Sequence, residues 1–443
     1  MKQNLVPPSP TALNPAPPPA EELRQRPPVE RGRSRRTNGT AHATSGRAVD
    51  ITDEDLHDMT AEERHAFLVE AAFGDETTVV CSHCQSIDKH VWSATQRRWR
   101  CRACGKRFSL TSGSILANTK IPQRRLISHV FKWLAPWNGR SALEIRRELG
   151  GRPLHVFVRG HKLRQAVAEM HNIGLTAGVQ EMDGVHLLGR DAAGKRNKPQ
   201  GGGVPEVDPA DLTESEREAY EKRRAKLEQS QSRQNADKAS GKSRPPAKYP
   251  ERRRIGISAS QRDAVRGAGA SATRIGVARS EREAAVTAVG ESFIVEGESE
   301  LASDAWHAYA QYSRERFDRT SSVEHSLMLV GTEGQNINQG ENLARRAKAV
   351  EKVYMRIDPK YLHEYAVEAA FRKDLVHMTN GERLRYTLSL AFRTRVSPDF
   401  VNYCHGSYRI YEVLADEGLV ETPHHRPARG AHPNSQINGR PPR

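Results

Sequence analysis

Four of the five cysteines stand in two pairs, Cys81-Ser-His-Cys84 and Cys101-Arg-Ala-Cys104. Two thiolate pairs carried on two knuckles close tetrahedrally around Zn²⁺, and a complete sulfur set leaves no position open for a reacting water. The chemistry implied is therefore structural, with the ion standing in for a core that so small a module lacks. Gly105 suits the turn after the last cysteine, and Trp99 and Phe108 are placed to cover the site. His83 and His90 lie nearby, but the four sulfurs leave them as surface neighbours. Cys404 has no cysteine near it in sequence and reads as a small, semi-buried apolar residue.

Three acids stand out next: Asp183 in Gln180-Glu-Met-Asp-Gly-Val-His-Leu, Asp304 in Leu301-Ala-Ser-Asp-Ala-Trp-His, and Glu341 in Asn338-Gln-Gly-Glu-Asn-Leu. Singly, an Asp after an apolar run is most often a turn or cap residue. Together they suit phosphoryl transfer at DNA, which uses a carboxylate cluster to hold two divalent metals. Oxygen donors select Mg²⁺ or Mn²⁺. Lys348 lies two helical turns past Glu341, on the same face, where its ammonium would reach a phosphate near the metals. The competing reading of that lysine is a solvated helix face.

The chain that must position these groups has 443 residues, room for two or three domains. Only 36% are hydrophobic and 6% aromatic, so long solvated segments dilute any core. A formal charge of +15 favours a polyanionic partner. In the cysteine region the basic residues Arg97, Arg98, Arg100, Arg102, Lys106 and Arg107 are interleaved with Trp99, which points to nucleic acid. No apolar run approaches the roughly 18 residues of a membrane helix, and the N-terminus has no apolar signal segment. A cytoplasmic protein with no membrane partner is expected, and paired cysteines as metal ligands suit that reducing compartment.

Texture divides the chain further. Residues 1–50 are Pro- and Arg-rich and are expected to be a disordered tail. Residues 51–75 hold a short amphipathic helix opened by the Thr60/Glu63 capping box and ended at Gly74. Residues 76–121 form the ribbon with short strands. Residues 122–172 turn helical, and Arg140 to Gly150 followed by Leu154 to Met170 has the form of a helix, a Gly turn and a second helix, as in a helix-turn-helix. Strands are expected at Val179 to Leu188, at Ile255 and at Thr273, with a helix among those that follow up to Ser303. Residues 191–254 interrupt this pattern as a charged insertion. Helical periodicity runs from Glu341 to about Leu414, with a C-terminal helical region at 376–422 and a polar tail at 423–443.

These residues resemble a known family, the zinc-ribbon DDE transposases of prokaryotic insertion sequences in the IS1595 group, with its ISXO2-like catalytic domain. The resemblance runs from about Cys81 to Arg372. Arg107-Phe-Ser-Leu-Thr-Ser-Gly-Ser-Ile-Leu-Ala-Asn-Thr-Lys-Ile-Pro122 is similar to the family's run between ribbon and helices, and Ser141 to Gly150 to its helix-turn-helix entry. Met182 to Gly189 and Ser303 to Tyr309 look like its two aspartate motifs. Val323-Glu-His325-Ser resembles a Val-Asn-His-Ser element, and Asn338 to Glu341 with Lys348 its Asn-Gly-Ile-Glu and following lysine. Gly184 departs from the family, which usually carries Glu there.

The resemblance implies a multidomain α+β/α/β protein whose residues 173–375 form an RNase H-like DDE domain. Asp183 and Asp304 would lie on neighbouring strands and Glu341 on a helix. They would bind two Mg²⁺ or Mn²⁺ ions, with Asn338 as substitute for Glu341 and His325 positioning a phosphate or water. The ribbon and Arg146, Arg147, Arg159, Lys162 and Arg164 of the helical region are expected to grip element ends. Target DNA, a homo-oligomer on DNA and a nucleoid-associated, prokaryotic location follow from the same resemblance. Two other readings stay open: a DNA-binding regulator with a decayed catalytic domain, and an RNase H-like nuclease that does not join strands.

Overall fold

The computed structural model describes residues 45–75, 77–174, 176–188, 214, 221, 225, 253–263, 269–304, 306–323, 338–355, 357–400 and 412–415. The expectations for residues 1–44 of the first tail, for the second tail, for His325, for Cys404 and for nearly all of the insertion lie outside these residues; the disorder expected of residues 45–50 is corrected, since Gly46–Ala48 form a 3-10 turn and Asp50 accepts from Thr379 and Gly381.

Local sequence signals set the first elements. Thr60 and Glu63 exchange side-chain and backbone hydrogen bonds at the start of helix α2 (Ala61–Phe73), and Gly74, at φ 89°, ends it as expected. A second capping box, Thr52 with Asp55, opens a further helix, α1 (Asp53–Asp58), so the region holds two helices rather than one. The ribbon is a three-stranded antiparallel sheet of β1 (Val91–Ser93), β2 (Arg98–Arg100) and β3 (Arg107–Phe108). Trp99 pairs across to Trp92 on one side and Phe108 on the other. His65 and Phe73 of α2 pack on these aromatics, His65 stacking on Trp92 at 4.1 Å between ring centroids.

Helices α3 (Gln123–Leu134), α4 (Ala142–Leu149) and α5 (Pro153–Met170) follow. Ser141 and Glu144 form the capping box of α4, Gly150 (φ 69°) ends it, and proline at the first position starts α5.

A five-stranded sheet comes next, built from β4 (Thr176–Leu188), β5 (Arg253–Arg262), β6 (Ala270–Ala278), β7 (Ile294–Asp304) and β8 (Thr320–Val323). Its order is β6-β5-β4-β7-β8; β4, β5 and β6 pair antiparallel, while β7 and β8 run parallel to β4. Helix α6 (Glu283–Phe293) lies between β6 and β7, and α7 (His307–Arg316) between β7 and β8. Alternation along β4 sends Met182 into an apolar cluster with Val286, Val289 and Tyr309 of these two helices, whereas Val185 and Leu187 belong to a second cluster.

That second cluster is continuous over most of the chain. It joins α2, the ribbon aromatics and α3 to α5 with three C-terminal helices, α8 (Asn338–Tyr354), α9 (Leu362–Asp374) and α10 (Asn380–Arg393). The boundaries expected at 172/173 and 375/376 thus fall within one shared core. An ion cluster sits inside it: Glu368 of α9 binds Arg164 of α5 at 2.6 Å and Arg372 at 2.7 Å, and accepts from the Tyr354 hydroxyl at 2.9 Å. Arg372 also donates to the carbonyls of Trp133, Leu134 and Pro136, closing the C-terminal end of α3. The segment after the ribbon is tied down as well, since Ile115 N–H donates to the Thr394 carbonyl at 2.7 Å.

Candidate active site and metal centre

The four cysteine sulfurs converge, all lying within 4.8 Å of one another. Cys81 and Cys104 are 3.8 Å apart at sulfur, and Cys84 and Cys101 3.6 Å. A tetrahedron of sulfurs about 2.3 Å from Zn²⁺ has edges of about 3.8 Å, so the set fits that ion. Each knuckle is closed alike: Gln85 N–H donates to the Cys81 carbonyl and Gly105 N–H to that of Cys101, with φ of 60° and 71°. The Cys104 amide donates to the Cys101 sulfur, and this with neighbouring donors brings the Cys101 thiol down to about 6, favouring the thiolate a metal needs. Burial pushes the Cys81 thiol up.

His83 is exposed. His90 is not the surface neighbour expected: it is 5% exposed, sits within reach of the Ser86 carbonyl and accepts from Arg102 N–H. It braces the knuckles without joining the sulfur set.

Beside the first knuckle runs a groove of about 580 Å³ lined by Arg98, Arg107 and Lys120 with the hydroxyl residues Ser109, Thr111, Ser112 and Thr119. Arg98, Arg100, Arg102, Lys106 and Arg107 are all exposed. On the helices, Arg146 and Arg147 are exposed and Arg159 and Lys162 half-buried, the Lys162 ammonium donating to the Ala117 carbonyl. Arg164 requires a correction. It is 3% exposed, paired with Glu368 and stacked on the Tyr365 and Tyr354 rings, so it belongs to the core and cannot reach DNA.

Backbone register sets two of the acids side by side. Met182 of β4 pairs with Ser303 of the parallel β7, so Asp183, within β4, and Asp304, the last residue of β7, occupy adjacent register positions on neighbouring strands. The Gly184 amide donates to Asp183 Oδ1 at 2.8 Å. The first turn of α8 lies directly on Asp183: a Cβ added to Gly340 would sit 2.9 Å from Asp183 Oδ2 and 3.1 Å from its Cγ. Only glycine permits that approach, and the next residue of α8 is the half-buried Glu341. Asn338 opens α8 and is exposed; Lys348 is half-buried two turns beyond Glu341. Gly184 has its own reason on the opposite face, where a side chain would meet the Glu281 carboxylate, held there by the Tyr309 hydroxyl at 2.8 Å.

Two participants are not evident from sequence. Glu181 shares the Asp183 face of β4, two residues earlier, and is 1% exposed; its Oε2 accepts from Gln339 N–H at 2.7 Å and its Oε1 from Arg262 at 2.6 Å. Lys373 of α9 donates to the Gln339 carbonyl and to Ser260 Oγ, each at 3.1 Å. An acid in a buried strand at i−2 from Asp183 is the one signal that could have found Glu181; nothing local marks Lys373.

Residues 59–107 match the transposase zinc-ribbon domain, and residues 217–374 match the ISXO2-like transposase domain. The second match takes in Asp304, Glu341 and Lys348 and begins after Asp183. A four-sulfur ribbon followed by this domain defines a zinc-ribbon transposase. The two matches support a zinc-ribbon DDE transposase of the IS1595 group. No curated protein and no solved structure matches it. Among the described residues no helix is long and apolar enough to cross a membrane.

Proposed function

We propose that the protein cuts DNA at the ends of its own element and joins the freed 3′-hydroxyl to target DNA, with Asp183, Asp304 and Glu341 as the catalytic carboxylates. The observation that carries this reading is the packing of Gly340 on Asp183, with Glu341 the next residue of α8 and Asp304 in adjacent register on the neighbouring strand. The sheet order, with three antiparallel strands followed by two parallel ones, supports an RNase H-like domain.

The donor types suit Mg²⁺ or Mn²⁺: Asp183 of β4, Asp304 of the adjacent β7 and Glu341 in the first turn of α8 offer carboxylate oxygens only. When bound, two such ions would lower the pKa of an attacking water or 3′-hydroxyl and neutralise charge on the leaving oxygen. The chain's own part is to hold the carboxylates within one cluster and to direct the scissile phosphate there, with Lys348 on the Glu341 helix as its electrostatic contact and Asn338 able to serve beside Glu341.

We further propose that the ribbon groove, with Arg98, Arg107 and Lys120, takes the phosphate backbone of the element ends, and that Arg100, Arg102, Lys106, Arg146, Arg147, Arg159 and Lys162 extend that surface. Alanine at Arg98, Arg107 and Lys120 together should reduce the slope of log affinity against log salt by about one for each phosphate no longer neutralised, measured by titration at several salt concentrations. An unchanged slope would remove the groove from the DNA surface. Pairing two ends calls for a homo-oligomer on DNA, at work in the nucleoid of a prokaryotic cytoplasm.

The test is to incubate purified protein with labelled DNA carrying the element's ends, in Mg²⁺ or in EDTA, beside Asp304→Ala. Metal-dependent nicking lost in the variant is the expected result. Binding without any nicking would instead make the protein a DNA-binding regulator, and nicking without joining a nuclease.

A further inference from the structure

Resting on the assignment of Asp183 and Glu341 above, we infer that Glu181 and Lys373 are positioning residues, which together clamp Gln339 and so hold Glu341 against Asp183. Gln339 is gripped on both its backbone groups. Its N–H donates to Glu181 from the sheet side at 2.7 Å, and its carbonyl accepts from Lys373 of α9 at 3.1 Å. The next residue, Gly340, is the one pressed on the Asp183 side chain, and the one after that is Glu341. Three consecutive residues thus serve as clamp, contact and carboxylate.

A helix N-terminus leaves its first amides without intrahelical partners, and a carboxylate there satisfies one of them and suits the helix dipole. Glu181 fills that role from a neighbouring strand while Arg262 holds its other oxygen. Lys373 is anchored in turn through Ser260 of β5, the strand that pairs with β4. Burial brings its amine down to about 8 against the pull of Asp374 and Glu181. Placing an ammonium so deep is costly unless the structure uses it. The buried ions of the Glu368 cluster join helices to one another; this second set ends one residue from the contact with Asp183.

The experiment is a Mn²⁺ titration of the full-length, zinc-loaded protein, with free Mn²⁺ read by electron paramagnetic resonance, for wild type, Asp183→Ala, Lys373→Met and Gly340→Ala. Thermal unfolding of each runs alongside. Groups that orient metal ligands typically change affinity by about ten- to a hundredfold when removed. A rise of that size in the Mn²⁺ half-saturation is expected for Lys373→Met. Gly340→Ala should weaken Mn²⁺ binding as well, although alanine is the better helix former, because its methyl displaces Asp183. If Lys373→Met does not fold, Glu181→Gln, which removes the charge that accepts the Gln339 amide, decides in its place, with the same rise expected. Folded variants that bind Mn²⁺ as wild type does, while Asp183→Ala loses it, would overturn the positioning role. Wild-type Mn²⁺ binding by Asp183→Ala would instead overturn the carboxylate assignment on which this inference stands.

Discussion

At the scale of single residues, the heaviest electrostatic burden falls on Glu368. Burial pushes its carboxyl up, and the guanidinium groups of Arg164 and Arg372 more than reverse this, holding it below the ordinary glutamate value of 4.5. A carboxylate depressed in the folded state contributes stability that is complete above the ordinary value and is lost as pH falls through the folded one. Glu368→Gln should therefore cost about 3 to 5 kcal/mol near neutral pH, since it leaves buried guanidinium groups uncompensated. It should also flatten the acid limb of the stability curve, which denaturant unfolding across that range would check; an unchanged limb would remove Glu368 as its source. The same cluster shows why Arg164 looks like a DNA-binding residue from sequence alone. A basic residue on a helix next to a basic ribbon reads as solvent-facing until its partner is known, and that partner is 204 residues away. His90 is misjudged for the same reason, its burial depending on knuckle and strand neighbours that no local pattern carries.

At the scale of elements, whatever is local is legible. The Thr60/Glu63 box, Gly74 and the cysteine spacing each specify their own geometry, and all appear in the structure as expected. The ribbon depends on its ion, because its strands are two or three residues long and its sheet buries chiefly Trp99 and Phe108. Stripping zinc with a strong chelator should unfold it, with a change in tryptophan fluorescence from the Trp92/Trp99 pair, and Cys101→Ser should do the same without chelator. Fluorescence that stays native after zinc loss would contradict a structural ion. What the sequence does not disclose is pairing between distant elements. β4, β5 and β6 are each recognisable as strands; that β7 lies beside β4 in parallel, setting Asp304 next to Asp183, comes from the sheet as a whole. Only the family resemblance anticipates that neighbourhood. Glu181 and Lys373 have no such aid, and each acquires meaning only once α8 and α9 are docked.

At the scale of the whole molecule, the helices after the ribbon and the helices after the sheet are one core. Arg372 caps α3, Asp374 takes a hydrogen bond from His171 at the end of α5, and Asp50 receives the Gly381 amide and the Thr379 hydroxyl at the start of α10. An isolated fragment of residues 173–375 would keep Glu368 and Arg372 but lack Arg164, the α3 carbonyls and the α10 packing surface. It should give no cooperative unfolding transition, while the full chain does; a cooperative fragment would show that the sheet and its helices stand alone. This shared core also ties the proposed DNA-binding region to the carboxylates, because α9 carries both the Arg164 partner and Lys373.

Asp183→Asn separates a catalytic carboxylate at this position from a structural one. Asparagine keeps the shape on which Gly340 packs and removes the charge. The measurement is the single-turnover rate of 3′-hydroxyl release from an element-end DNA in Mg²⁺, with binding of that DNA followed in parallel. If Asp183 is catalytic, the rate falls about a thousandfold or more, on the order of 4 kcal/mol of barrier, with DNA affinity unchanged. Release at the wild-type rate by the folded, DNA-bound variant would contradict that role.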